Sequence, residues 1–289
     1  MKNAMILTFK NKKTWMNILK FVVVNGALVL VMIPLLTLIM TSFKSLEDIM
    51  LHPTSFFPTK WVFTNFVTVL KEFPFMRYLA NTIFVTVLNS FGVVLSSALV
   101  AYGFSRFNFK YKNLIFTIML GTIFIPAQIL QIPMFELYRS LGWFNSYYPM
   151  ILPGFLGGGI VNVFLIRQFM SNLPKQMYEA AVVDGANEFQ IFSRIAVPLC
   201  KPVLLTVFIF TFVGTWNDFY SPLLYLTDDS KYTLAYGLYM TFSKFEVAGQ
   251  TAWNLVSAAN IVFVIPIIAM YFFFQKYFVE GITLGSVKE

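Results

Sequence analysis

Asp218 is an acid set in an otherwise apolar stretch, with Trp216, Asn217 and Tyr220 beside it. Carboxylate and amide groups hydrogen-bond hydroxyls, and aromatic rings pack against C–H faces, so these four residues suit contact with a hydroxylated solute. At membrane depth such an acid costs about 2.5–3.5 kcal/mol on insertion scales and usually faces a cavity or a partner. Two roles remain open for Asp218: a contact on a solute pathway, or a structural bond from the outer end of its helix to a neighbour. Gln128, Gln131, Asn81, Asn89, Asn162 and Asn260 also lie in apolar runs, where they would line a pathway or hydrogen-bond between helices.

Catalytic chemistry finds little support. No His, Cys or second acid stands beside Asp218 to complete a reactive set. Cys200 is the single cysteine and His52 the single histidine, so a disulfide, a multi-cysteine metal site and a His-based metal site are not expected. No G-x-x-x-x-G-K-[ST] phosphate loop occurs anywhere. The Gly157-Gly158-Gly159 run follows no strand and suits close helix packing better than nucleotide binding.

A second chemical feature lies in residues 167 to 201, a polar insertion between apolar runs. Pro174 suits a helix start, Lys175 to Asp184 are mostly good helix formers, and Gly185 suits a helix stop. Asn187 with Gln190 has the form of a capping box, and Phe189, Phe192 and Ile195/Ala196 then form one apolar face. The first short helix carries Glu179 beside Ala180, Ala181 and Gly185, an almost bare backbone surface that another protein can approach closely. An amphipathic connector lying on the membrane surface is the alternative.

The elements that position these features are membrane helices. The 289 residues are 58% hydrophobic and 12% charged with a mean hydropathy of +0.71, against roughly 25% charged in soluble domains. Only helix bundles and closed barrels satisfy backbone groups in lipid, and the alternation of a barrel strand is missing. Charge-free runs at 21–43, 78–105, 113–135, 140–166, 202–217 and 247–275 predict six crossings, the fifth extended through Asp218 as one helix from Pro202 to Leu226. Pro34, Pro126, Pro133, Pro153 and Pro266 are expected to kink their helices. Fourteen Lys and Arg fall on the side of the termini and seven on the other, which places both termini in the cytoplasm. The first run is too long for a signal-peptide core and is expected to remain as an anchor.

Glu179-Ala180-Ala181, three residues, Gly185, nine residues, then Ile195-Ala196-Val197-Pro198 resembles the EAA loop of ABC-importer permeases. The longer stretch YEAAVVDGANEFQIFSRIAVPLCKP is similar to the carbohydrate subgroup, specifically the smaller, maltose-permease-like subunit. SFKS after the first run, WNDFYSPLLYL from Trp216 to Leu226, and the tail QKYFVEGITLGSVKE extend the likeness over much of the chain. Val197 departs from the more usual Leu, a conservative change.

The resemblance implies an all-α integral membrane protein with six transmembrane helices, a type I ABC-importer permease fold and a cytoplasmic EAA coupling loop. Residues 1–20 would be a cytoplasmic N-terminus, 21–278 the permease domain with the EAA loop at 171–201 inside it, and 279–289 a cytoplasmic tail that reaches the ATPase or frays. The implied partners are a second permease, two ABC ATPase subunits, an extracytoplasmic solute-binding protein and membrane lipid, with no nucleic acid. The location would be a bacterial or archaeal plasma membrane. No cofactor or metal is expected in this chain, ATP and Mg belonging to the ATPase. Glu179 would be a polar anchor, Ala180 and Ala181 close-contact positions, Gly185 the docking turn and Asp184 a local cap, with Ile195 and Pro198 completing the motif. Trp216, Asn217, Asp218, Tyr220, Gln128 and Gln131 are the substrate-pathway candidates, the expected cargo being an oligosaccharide or related glycoside, with polyamines, phosphate esters and other solutes carried by similar permeases as the alternative. A self-contained carrier or channel is the reading from another class, although no internal repeat supports it.

Overall fold

The computed structural model describes residues 2–242, 246–247 and 250–286. The chain is helical almost throughout, with one two-residue antiparallel pairing, Glu246–Val247 against Gln250–Thr251. Contacts divide it into two compact units, Met1–Glu72 with Phe242–Val262, and Phe73–Thr241 with Phe263–Glu289.

In the first unit, α1 (Lys2–Ser42) carries an apolar stretch from Trp15 to Ser42 whose side chains are almost all exposed, the condition of a helix meant for lipid. Two short helices follow, α2 (Leu46–Leu51) and α3 (Thr64–Glu72). Asn65 ties them down: its amide donates to the carbonyls of Ser42 at 2.8 Å and Lys44 at 2.9 Å, and its oxygen accepts from Asn254 at 3.1 Å. The Phe43 ring packs among Trp61, Phe63 and Phe66. Asp48 accepts the Thr59 amide at 2.9 Å, and that bond holds its carboxyl below the ordinary range. A lowered carboxyl stabilises above its unfolded pKa and stops doing so as pH falls through its folded one. Acidification below the usual carboxylate range should therefore lower the amide protection factors of Lys44–Thr59 in the wild type, after division by the intrinsic exchange rate at each pH, and those factors should be pH-insensitive in Asp48→Asn.

The second unit is built on α4 (Phe75–Arg106). Lipid tails are as apolar as leucine, so membrane helices associate through close packing and interhelical bonds rather than through exclusion of water. Small residues serve that end here: Ser90, Gly92, Ser96, Ser97, Ala98 and Ala101 are buried along α4. Next come α5 (Lys112–Gly121) and α6 (Ala127–Ser140), which meet at 98° beside Pro126, so the third expected crossing is a bent pair.

The fourth crossing runs from Tyr148 to Ser171, later than the expected 140–166. It is α7 (Tyr148–Ile151), a 3-10 turn at Leu152–Phe155, a glycine break, and α8 (Ile160–Ser171). Gly157, Gly158 and Gly159 all have positive φ, and a Cβ on Gly158 would stand 2.0 Å from Ser97 Oγ and 2.4 Å from the Val93 carbonyl. Gly158 thus serves close packing, as expected, whereas a Cβ on Gly157 would meet nothing within 4 Å and one on Gly159 only Asn162 at 3.8 Å; together the three break the helix.

After α9 (Lys175–Val183), α10 (Glu188–Ile191), a π turn at Phe192–Ala196 and α11 (Val197–Leu199), the chain enters α12 (Lys201–Trp216). The expected single helix from Pro202 to Leu226 is corrected here: α12 stops at Trp216, and α13 (Tyr220–Tyr225) begins beyond a break. Pro222 has no N–H to bond the carbonyl of residue 218, so an uninterrupted helix through that point is disfavoured. The unit continues with α14 (Leu234–Phe242) and the later part of α15 (Trp253–Ser286), the latter running helical through Pro266 and into the expected tail. Residues 287–289 of that tail lie outside the described residues. Among the described residues four helices are long and apolar enough to cross a membrane, or up to six if each bent pair is one span.

Candidate functional site

Asp218 sits in the break between α12 and α13. Its Oδ1 accepts the amides of Tyr220 at 2.9 Å and Ser221 at 3.0 Å, satisfying donors at the start of α13 that have no partner within the helix. A side-chain oxygen that competes with the backbone in this way favours a helix start over a helix interior. The acid therefore makes the interruption it occupies.

Asp218 also lines a cavity of about 200 Å³ with Thr86 and Asn89 of α4, Thr215, Ser221 and Thr233. Asn89 donates to the Thr215 hydroxyl at 2.8 Å, linking α4 to α12. The hydroxyls of Thr86 and Thr233 are buried and unpartnered. Such groups carry a desolvation cost unless a polar guest or water meets them, so the cavity has the chemistry to hold hydroxylated molecules.

The other pathway candidates separate. Tyr220 donates to Gln131 Oε1 at 2.8 Å, joining α13 to α6. Trp216 is 3% exposed and stacks on Phe212 at 5.6 Å, so it packs the interior, with its indole N–H buried and unpartnered. Asn217 donates back to the Val213 carbonyl. Gln128 is exposed on α6, apart from the cavity. Sequence reasoning left Thr86, Thr215 and Thr233 unnamed, because a threonine in an apolar run carries no signal until neighbouring helices are placed around it.

Replacing Asp218 by Ala should lower stability by about 1 kcal/mol through loss of the cap, read as a lower unfolding temperature in detergent. Asp218→Asn keeps the accepting oxygen and should restore most of it. Equal losses in both variants would remove the capping role.

The polar loop between α8 and α12 forms the second candidate. Helix α9 ends in a paired turn: Ala186 N–H bonds the Ala181 carbonyl at 2.9 Å and Gly185 N–H bonds Val182 at 3.0 Å, with Gly185 at φ +83°. This closure needs a left-handed residue, which glycine supplies at least cost. The capping box forms in both directions between Asn187 and Gln190, at 2.9 Å each.

Packing then sorts the loop into two faces. Tyr178, Ala181, Ile191, Phe192 and Ala196 are buried and Ile195 is partly so. Glu179, Ala180, Asp184, Gly185 and Pro198 are exposed, together with Val183 at 86% and Phe189 at 76%. Phe189 is thus not part of the buried face expected for it, since the π turn that begins at Phe192 ends the regular helical spacing. In that turn the Val197 N–H reaches back to the Phe192 carbonyl. Pro198 has no N–H to offer the preceding turn, which accounts for the shift out of α geometry.

Arg106, at the end of α4, reaches both loop helices. Its Nη2 and Nε hydrogen-bond the two Glu188 oxygens at 3.0 and 3.3 Å, and its guanidinium lies 5.4 Å from the centre of the Tyr178 ring. Tyr102, one turn earlier, donates to Glu188 Oε2 at 2.5 Å and packs on Phe192. No sequence pattern pointed to this set, in which Arg106 and Tyr102 meet a Glu188 that is 82 and 86 positions away.

A multi-pass helical bundle with broken helices, a small polar cavity and a solvent-facing helical loop defines the class of membrane permeases. The chain belongs to the family described as binding-protein-dependent transport system inner membrane components, whose model matches residues 92–284. A probable ABC transporter permease protein of Bacillus subtilis, YurM, is 35% identical over 261 residues, covering 90% of this chain and 85% of that one. The arabinooligosaccharides transport system permease protein AraQ of Halalkalibacterium halodurans is 31% identical, covering 88% and 90%. Among solved structures, a bacterial ABC transporter involved in import of the acidic polysaccharide alginate matches with a TM-score of 0.80 at 25% identity, over 91% of this chain and 96% of that one. The protein is therefore an inner-membrane, multi-pass component of binding-protein-dependent transport.

Proposed function

We propose that this chain is one of two permease subunits in an ATP-driven sugar importer, forming half of the pathway for an oligosaccharide or related glycoside. The observation that carries this reading is the α9 turn, which leaves Glu179, Ala180, Val183 and Gly185 exposed, as Phe189 is on α10. Two large apolar side chains so exposed on a polar loop fit a protein contact better than water. Tyr178 and Ala181 face inward and hold the helix to the bundle. In this reading the loop is cytoplasmic, as are both termini, and the ATPase that docks there supplies ATP and Mg. The permease domain covers residues 21–278, with the loop at 171–201 and the tail from 279 close to the ATPase. Six crossings follow if each bent pair spans the bilayer once. The apolar outer surface of α5, α6 and the turn between them, where Phe124 and Ile132 are exposed, suits the companion permease and lipid.

The pathway is drawn along the Asp218 cavity and the Tyr220–Gln131 bond. The AraQ relative is named for arabinooligosaccharides and the solved transporter for the polysaccharide alginate, and a cavity of hydroxyls, an amide and a carboxylate suits such cargo. Trp216 at the end of α12 and Asn217 just beyond it support the break, and Gln128 is exposed on α6.

Mild-detergent purification of the tagged chain from its native membrane, with companions identified by mass spectrometry, tests this reading. An ABC ATPase and a second permease should be recovered in stoichiometric amounts. A clean homo-oligomer without an ATPase would overturn it in favour of a self-contained carrier or channel. An intact complex that takes up only non-sugar solutes would leave the permease role and remove the cargo.

A further inference from the structure

The Arg106 set lies where the loop meets the end of α4, with the Arg106 side chain 24% exposed and that of Glu188 43%. What it joins is specific. Tyr178 belongs to α9, Glu188 starts α10, and Phe192 starts the π turn; all three are held by the last two turns of α4. Bidentate Arg–carboxylate pairs fix orientation as well as distance, and the ring contacts with Tyr178 and Phe192 restrain the same joint from two further sides. Near its middle the same helix lines the Asp218 cavity with Thr86 and Asn89 and bonds α12 through Thr215. Seventeen residues separate Asn89 from Arg106, about 25 Å of continuous helix at 1.5 Å per residue. A rod so long transmits a displacement only if its end is locked to the part that moves. Without the lock, two short helices on a loop could turn against α4 and absorb the motion.

We infer that Arg106 and Glu188 are positioning residues that lock the docking loop to α4, so that movement of the loop driven by the ATPase displaces the helix lining the cavity. This deepens the docking reading above and rests on it. Tyr102 and Tyr178 complete the joint by holding the carboxylate and the guanidinium in register.

The test uses the full complex with its companion permease and ATPase in proteoliposomes, with an environment-sensitive fluorophore on a single introduced cysteine. Val183→Cys, in the exposed loop surface, reports docking. Met76→Cys, exposed in the first turn of α4, reports the far end of the rod. Cys200 is fully buried, and a labelled control with no introduced cysteine sets the background. On adding ATP with vanadate, both probes should respond in the otherwise unaltered chain. In Arg106→Gln and in Glu188→Gln the Val183→Cys response should persist while the Met76→Cys response falls by about tenfold, the size expected when one link in a coupled network is cut. The exchange Arg106→Glu with Glu188→Arg should restore it, which a merely structural loss would not.

A Met76→Cys response that survives in the single variants, or is not restored by the exchange, overturns the lock. So does loss of the ATPase from the single variants, which would make the pair part of the docking surface instead. Failure of Val183→Cys to respond even with Arg106 and Glu188 intact would reject the docking reading itself, and so is distinguishable from failure of the lock.

Discussion

Gly158→Ala will prevent this protein from accumulating as a folded membrane species. The residue has φ +64°, and a Cβ there would fall 2.0 Å from Ser97 Oγ, 2.4 Å from the Val93 carbonyl and 3.0 Å from Ser96 Oγ. A serine hydroxyl can rotate away, but a backbone carbonyl in the middle of a 32-residue helix cannot. The left-handed backbone adds about 1–2 kcal/mol for a non-glycine residue, and forcing an extra methyl into a packed interior adds a further 1–3 or so. The sum, about 3 kcal/mol or more, is a large share of a marginal stability. Gly142→Ala is the control, since Gly142 also has positive φ, at +72°, but nothing within 4 Å of its Cβ position. Unfolding temperature and yield of monodisperse protein in detergent should fall sharply for Gly158→Ala and slightly for Gly142→Ala. Equal behaviour would mean that the glycine run does not press against α4.

Gly185→Asp should act almost wholly on assembly. Gly185 has φ +83° with open space around it, and Asp visits left-handed backbone more readily than most residues. The folding cost is therefore small. At the surface, however, the new carboxylate would join Glu179 and Asp184 where the ATPase approaches, and a charge left buried and unpaired in an interface costs about 2–5 kcal/mol, or thirtyfold and more in affinity. Insertion and unfolding temperature should stay near those of the unaltered chain, while the amount of ATPase recovered with the tagged subunit collapses. Gly185→Asn, which keeps the backbone preference without the charge, should retain most of it. Normal ATPase recovery and uptake in Gly185→Asp would remove the docking role from this turn.

How much was legible beforehand differs between the two regions. The loop could be read closely because its signals are local: Asn187 with Gln190 for a cap, Gly185 for a stop, and a spacing that resembles a family motif. Its exposed residues, Val183 and Phe189, were less legible, since which side of a short helix faces water depends on what the other side touches. Around Asp218 the apolar residues Tyr220, Leu223 and Leu224 suggested an uninterrupted helix, and the cap with Pro222 ended it. Both signals stand in the sequence, but hydropathy outweighed them in the reading.

The sequence by itself determined the solvent of this protein and its order of elements. Apolar runs of twenty or so residues cannot remain in water, and lipid leaves the backbone few ways to bond except as helix. Local motifs then marked the short helices and turns of the polar loop between α8 and α12. Only the tertiary structure decided where the helices break, which threonines share a cavity, and which distant groups meet. Arg106 and Glu188 lie 82 positions apart, and Tyr220 and Gln131 lie 89 apart. Spacing along a chain reports neighbours within one helix, whereas such pairs exist only once packing has brought separate helices to the same point.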